Sequence, residues 1–138
     1  MDFGGRLAKL LRPGDIVCLS GELGSGKTTL VKGIAQALKI NPAKVNSPTF
    51  VIMNIYESKI PLYHFDLYRL DGKNEISLTG YDEFLYGQGI AVIEWAERFQ
   101  ELFPKECLKI DLKHEGETKR SFQLLAQGKR YETLMKRL

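Results

Sequence analysis

The sequence predicts an α/β fold, a three-layer sandwich with a mainly parallel, partly mixed sheet and a C-terminal antiparallel hairpin. Three observations carry that expectation. Short apolar runs of strand length alternate with segments of helical spacing through the first two thirds of the chain, as in a parallel sheet covered on both faces. A glycine-rich stretch, Gly21 to Thr28, sits between one such strand and one such helix. Near the end, two alternating segments flank Glu115-Gly116-Glu117, a turn sequence that lets the second segment return beside the first. At 138 residues the chain suits a single domain, residues 1–138, with a core of its own.

Taken in order, Phe3, Leu7, Leu10 and Leu11 recur at helical spacing, so residues 3–11 read as a short amphipathic helix ended by Pro13-Gly14. Residues 15–20, DIVCLS, form a compact apolar strand. From Thr28 the helical period returns, with Leu30, Val31, Ile34, Ala35 and Leu38 on one face and Asn41-Pro42 as the stop. Residues 50–55 are apolar enough for a strand buried on both faces. A turn at 57–59 leads to a strand over 62–65 that ends at Asp66. Residues 74–86 are mixed and suit short helices broken at Gly80, and residues 90–93 form another apolar strand. Residues 108–112 and 121–125 make the hairpin, while the pair 50–55 and 62–66 adds a second antiparallel feature.

Composition excludes several classes. Hydrophobic residues make up 43% and charged residues 27%, the balance of a globular chain. No apolar run approaches the roughly 20 residues that span a bilayer. The opening MDFGGRLAKLL lacks an apolar core followed by a small-residue cleavage site, so no secretory signal is expected. Cys18 and Cys107 are too few for a disulfide framework, and Cys18 reads as a small buried thiol, which fits a reducing cytoplasmic setting. The net charge of +3 is weak support for a nucleic-acid partner. The basic residues Lys119, Arg120, Lys129, Arg130, Lys136 and Arg137 read as a solvated hairpin and tail rather than a dedicated RNA surface.

The segment GELGSGKT satisfies G-x-x-x-x-G-K-[ST] in full, with the strand before it and the helix after it that the pattern requires. Glycines let successive N–H groups converge on phosphate oxygens, and the helix presents its positive end to the same anion. This makes the sandwich a P-loop NTPase fold and predicts that Glu22, Leu23, Gly24, Ser25, Gly26, Lys27, Thr28 and Thr29 bind a nucleotide. Lys27 supplies a point charge to the terminal phosphates, and the Thr28 hydroxyl can coordinate Mg²⁺. Such a site also takes one or two carboxylates. Asp66 ends an apolar strand in the manner of a Walker B aspartate, and Glu94 ends Val92-Ile93. Ligands collect at the carboxyl ends of strands in open α/β sheets, so both carboxylates are expected beside Lys27 and Thr28. For Glu94 the alternative is an ion pair with Arg98, one helical turn on.

Other residues read as follows. In Ser47-Pro48-Thr49-Phe50, Thr49 offers a hydroxyl near the γ-phosphate in the manner of a switch loop, or the segment is a strand-capping turn. His64 alternates within its strand without a second ligand at metal spacing and reads as a hydrogen-bonded core residue. Tyr68 and Arg69 orient the loop after Asp66, or Arg69 stabilises transition-state charge. Trp95 reads as a packing anchor that could also report ligand binding.

The succession GELGSGKTT, VNSPTF, YHFDLYRL, GYDEFL and VIEWAER resembles the TsaE family over nearly the whole chain. The P-loop alone is unspecific; SPTF, HFDLYRL and IEW at these separations are what make the resemblance specific. The resemblance implies an ATP-hydrolysing, Mg²⁺-dependent subunit that is slow in isolation. Its implied partners are the TsaD–TsaB pair, which forms the threonylcarbamoyl group on the adenosine next to the anticodon of tRNAs reading ANN codons. It implies catalytic roles for Lys27, Thr49, Asp66 and Glu94, metal contacts from Thr28, Asp66 and Glu94, and contact with tRNA through the complex. Family members usually carry a short strand and an adenine-contacting residue ahead of the position of Phe3-Gly4. Their absence before Met1 implies either an upstream start or weaker base recognition. A small-molecule kinase or regulatory GTPase would share the P-loop. The chain has no spare segment for a kinase lid and lacks N-K-x-D.

Overall fold

Alternation along the strands assigns every core residue to one of two faces of a six-stranded sheet. The computed structural model describes residues 2–21, 26–45, 53–66, 81–85, 87–94, 105–115 and 119–138. In chain order these form α1 (Asp2–Leu10), β1 (Ile16–Gly21), α2 (Lys27–Ala37), a 3₁₀ turn (Pro42–Lys44), β2 (Met53–Tyr56) and β3 (Leu62–Asp66). There follow α3 (Tyr81–Leu85), β4 (Ile90–Glu94), β5 (Cys107–Glu115), β6 (Lys119–Gln127) and α4 (Lys129–Arg137). The strand order is β2-β3-β4-β1-β5-β6. The four central strands are parallel; β2 joins β3 and β6 joins β5 antiparallel, as the sequence predicts.

Register divides the core. Leu62, Ile90, Val92, Val17, Leu19, Leu108, Ile110 and Leu112 share one face and pack under α1 and α2, against Leu7, Leu30, Val31 and Ile34. The intervening residues Ile16, Cys18, Tyr63, Phe65, Ala91 and Ile93 form a second cluster on the opposite face, with Leu85 of α3. Two-sided burial of the central strands explains their continuous apolar character.

Helix α1 lies close on α2. A Cβ at Gly4 would stand 2.8 Å from the Leu30 carbonyl oxygen and 3.1 Å from the Gly33 Cα, so the crossing requires a residue without a side chain. Helix α2 ends before the expected Asn41-Pro42 stop. Lys39 adopts φ 65°, the Ile40 amide donates to the Ala35 carbonyl (2.9 Å), and the Lys39 amide donates to Gln36 (3.0 Å). That is a Schellman ending with lysine in the place glycine usually takes. Pro42 instead opens the 3₁₀ turn, where the Asn41 side chain accepts from the Ala43 amide.

Two expectations are corrected. The described part of the 50–55 strand is not buried on both faces: β2 is an edge strand paired only with β3, and Ile55 is 43% exposed. The C-terminal segment is not a solvated tail. It folds as α4, which buries Tyr131 and Leu134 in the α1/α2-side core. Arg130 forks onto Asp15 (Nη2 to Oδ2, 2.7 Å; Nε to Oδ1, 3.2 Å) and donates to the Leu10 carbonyl at the end of α1 (2.7 Å). The amide of Arg12 donates to the same Asp15 carboxylate. The Tyr131 hydroxyl accepts the Ile16 amide at the start of β1 (2.8 Å). The last helix therefore clasps the corner between α1 and β1. No helix among the described residues is long and apolar enough to cross a membrane.

Candidate functional site

Three chain segments meet at the carboxyl end of the parallel strands. The first is the junction of β1 and α2. Gly21 ends β1, and Gly26 takes φ 103° and ψ 15°, a left-handed conformation that favours glycine, directly before Lys27 opens α2. With no side-chain cap at Gly26, the first amides of α2 keep their capacity to meet an anion. Lys27 is buried, and its ammonium donates to the Gly21 carbonyl at 2.9 Å, so its charge is held at the tip of β1. Thr28 is half-buried and Thr29 exposed on the same first turn.

The other two segments are the ends of β3 and β4. Asp66 pairs with Glu94 in the parallel register, and Glu94 pairs with Leu19 of β1 on its other side. Adjacent strands are about 4.8 Å apart, so the two carboxylates leave the same face as neighbours. Gly21 lies two residues beyond Leu19, roughly 6.6 Å further along β1. Lys27, Asp66 and Glu94 thus gather on one rim of the sheet. Glu94 is only 3% exposed and Asp66 half-buried.

Mg²⁺ takes hard oxygen donors, usually one or two carboxylates beside phosphates and water. Thr28, Asp66 and Glu94 supply donors of that kind. No group of three or more His, Cys, Asp or Glu side chains among the described residues is placed to cage an ion.

Glu22, Leu23, Gly24 and Ser25 lie outside the described residues, as do Thr49, Tyr68, Arg69, Trp95 and Arg98. His64 is fully buried on the same face as Asp66 and Glu94, a hydrogen-bonded core residue as the sequence suggests. Its partner was not foreseen: Nε2 meets Glu94 Oε2 at 2.5 Å, across β3 and β4. The two residues are 30 positions apart, and only the register of the two strands links them.

Away from this rim, on the opposite face, a hydrogen bond from Cys18 holds the Cys107 thiol below its ordinary range against the opposing effect of burial. Both cysteines are free and buried. At the α4 clasp, the hydrogen bond to Asp15 raises the already high pKa of Arg130, so the guanidinium stays charged.

Comparison with known proteins identifies relatives of the chain. The family model described as threonylcarbamoyl adenosine biosynthesis protein TsaE matches residues 1–122. The chain is 43% identical over 132 residues to the tRNA threonylcarbamoyladenosine biosynthesis protein TsaE of Bacillus subtilis, covering 95% of this chain and 82% of that protein. It is 39% identical over 111 residues to the protein of the same name from Treponema pallidum, covering 80% and 82%. Its fold is similar to the crystal structure of Bacillus subtilis YdiB, with a TM-score of 0.76 and 36% identity over 98% of this chain and 86% of that one.

Proposed function

The chain belongs to the TsaE family, and from that premise we propose that it is a cytoplasmic, Mg²⁺-dependent ATPase serving tRNA threonylcarbamoyladenosine formation through the TsaD–TsaB pair. The observation that carries the reading is the pairing of Asp66 with Glu94 beside the β1 tip that holds the Lys27 ammonium. A triphosphate seated there meets the α2 N-terminus, a buried cation and two carboxylates from one side.

Each residue then has a definite task. Lys27 is held by the Gly21 carbonyl, and a nucleotide draws the ammonium onto its terminal phosphate oxygens. The Thr28 hydroxyl and the Asp66 carboxylate would hold the metal with the nucleotide. Glu94 would add its carboxylate to the metal site or orient water at the γ-phosphate, and its near-complete burial limits competition from bulk solvent. Thr49 completes the γ-phosphate contacts. When bound, Mg²⁺ neutralises charge that builds between the β- and γ-phosphates. The threonylcarbamoyl transfer itself belongs to the partner pair, and hydrolysis here resets that complex between turnovers. Contact with tRNA is through the complex.

The test is reconstitution of the full modification reaction with Lys27→Ala and Glu94→Ala. Both variants are expected to fold and to fail in sustaining modification beyond the first cycles, with phosphate released to water by the wild-type chain alone. Undiminished modification over many cycles with either variant would refute the assignment, and transfer of phosphate to an acceptor would replace the ATPase by a kinase.

A further inference from the structure

The His64–Glu94 contact is unusual for a core. His64 is 0% exposed, in the middle of β3, on the same sheet face as Leu62 and beside Val92 of β4. A buried position of this kind is ordinarily apolar, because a polar ring with an unmet hydrogen-bonding atom costs stability. Nδ1 has no partner among the described residues. Nε2 reaches Glu94 Oε2. The ring of Tyr56 lies 6.5 Å away on the β2 side, tilted by 33°. The arrangement has the form by which histidine and carboxylate fix each other's orientation beside a reacting centre.

We propose that His64 is a positioning residue for Glu94: by occupying Oε2 it fixes the carboxylate plane, so that the remaining oxygen is presented to the nucleotide site in one direction. This rests on the assignment of Glu94 to the nucleotide and metal site. Nε2 is thus the ring atom engaged with the carboxylate, while Nδ1 has no partner among the described residues. A glutamate without this hold would sample several rotamers and present either oxygen.

The experiment compares His64→Phe, His64→Gln, Glu94→Gln and the His64→Phe/Glu94→Gln double variant, using full-length chain. Two readouts are taken: Mn²⁺ affinity in the presence of ATP, by electron paramagnetic resonance on the isolated chain, and kcat and KM for ATP in the reconstituted reaction. His64→Phe is expected to weaken Mn²⁺ binding, or lower kcat, by about 10- to 100-fold while KM moves little. His64→Gln, whose amide nitrogen can replace Nε2 as donor, is expected to recover most of that loss. In the Glu94→Gln background, His64→Phe is expected to have no further effect. An apolar ring that merely disturbs packing would lower both backgrounds alike, and a wild-type result for His64→Phe beside an impaired Glu94→Gln would overturn the proposal. A wild-type result for Glu94→Gln itself would overturn the reading of the site, and the inference with it. Thermal unfolding of each variant separates loss of fold from loss of orientation.

Discussion

Replacing Tyr131 by Phe removes one oxygen atom, and the structure says what that atom does. Successive residues of a strand direct their amides to alternate sides. Asp15 accepts the Ala91 amide of β4, so the Ile16 amide faces β5. Pairing with β5 begins only at Val17↔Leu108, and the Tyr131 hydroxyl supplies the missing acceptor at 2.8 Å. The variant leaves a buried N–H unmet while opening almost no cavity. An orphaned buried donor costs about 1–3 kcal/mol. For a chain of this length each kcal/mol lowers Tm by about 3–5 °C. The assay is urea unfolding, with the midpoint reduced and the slope unchanged, combined with amide exchange at Ile16. The same residue sets an alkaline signature. Burial, the largest cause, pushes the Tyr131 hydroxyl up to about 12. A folded-state value above the unfolded one of roughly 10 means that the contribution is complete below pH about 10 and lost as pH rises toward 12. The wild-type chain should therefore lose stability more steeply than Tyr131→Phe across that window. A variant within 0.5 kcal/mol of wild type (the usual bound for a neutral surface change, about 0.5 kcal/mol), with Ile16 exchange unaltered, would refute the reasoning.

Other substitutions test the remaining supports. Gly4→Ala pushes a methyl into the Leu30 carbonyl and should destabilise by about 1–3 kcal/mol as α1 lifts from α2, measured by chemical denaturation. Lys39→Gly relieves a left-handed lysine at the end of α2 and should stabilise by about 0.5–1 kcal/mol in the same assay. Arg130→Met strips the buried Asp15 carboxylate of its fork and uncaps the Leu10 carbonyl; it should cost about 2–3 kcal/mol. Arg130→Lys should restore little of it, because an ammonium cannot fork, and thermal denaturation decides.

Legibility in the sequence followed from how local each signal was. The P-loop pattern and the acid at the end of each apolar run are local signals, and they are what single out Lys27, Asp66 and Glu94. The central strands were legible because two-sided burial writes a continuous apolar run. Helix α4 was hidden by its charge: the bases at 129, 130, 136 and 137 suggested a tail, although Tyr131, Leu134, Met135 and Leu138 have helical spacing. The edge position of β2 was not legible, since an apolar segment does not state how many neighbours it has. Nor was the His64–Glu94 contact, because it depends on the offset between two strands 30 residues apart.

That offset also explains how a loop-bordered site can be held to fine tolerance. Leu62, His64 and Asp66 alternate on one face of β3; Ile90, Val92 and Glu94 do the same on β4; Val17 and Leu19 continue the rows on β1. A slip of one residue in β4 would turn Ile90 and Val92 out of the α1/α2-side core and carry Glu94 to the opposite face, beyond reach of Asp66. The burial of those side chains, each worth about 1.5–3 kcal/mol, opposes the slip together with the residues they pack against. The position of a carboxylate at the rim is thereby enforced by leucine, isoleucine and valine several residues earlier in the same strands. Reading the site from its apolar rows, rather than from its charges, locates the part of the sequence in which its geometry is encoded.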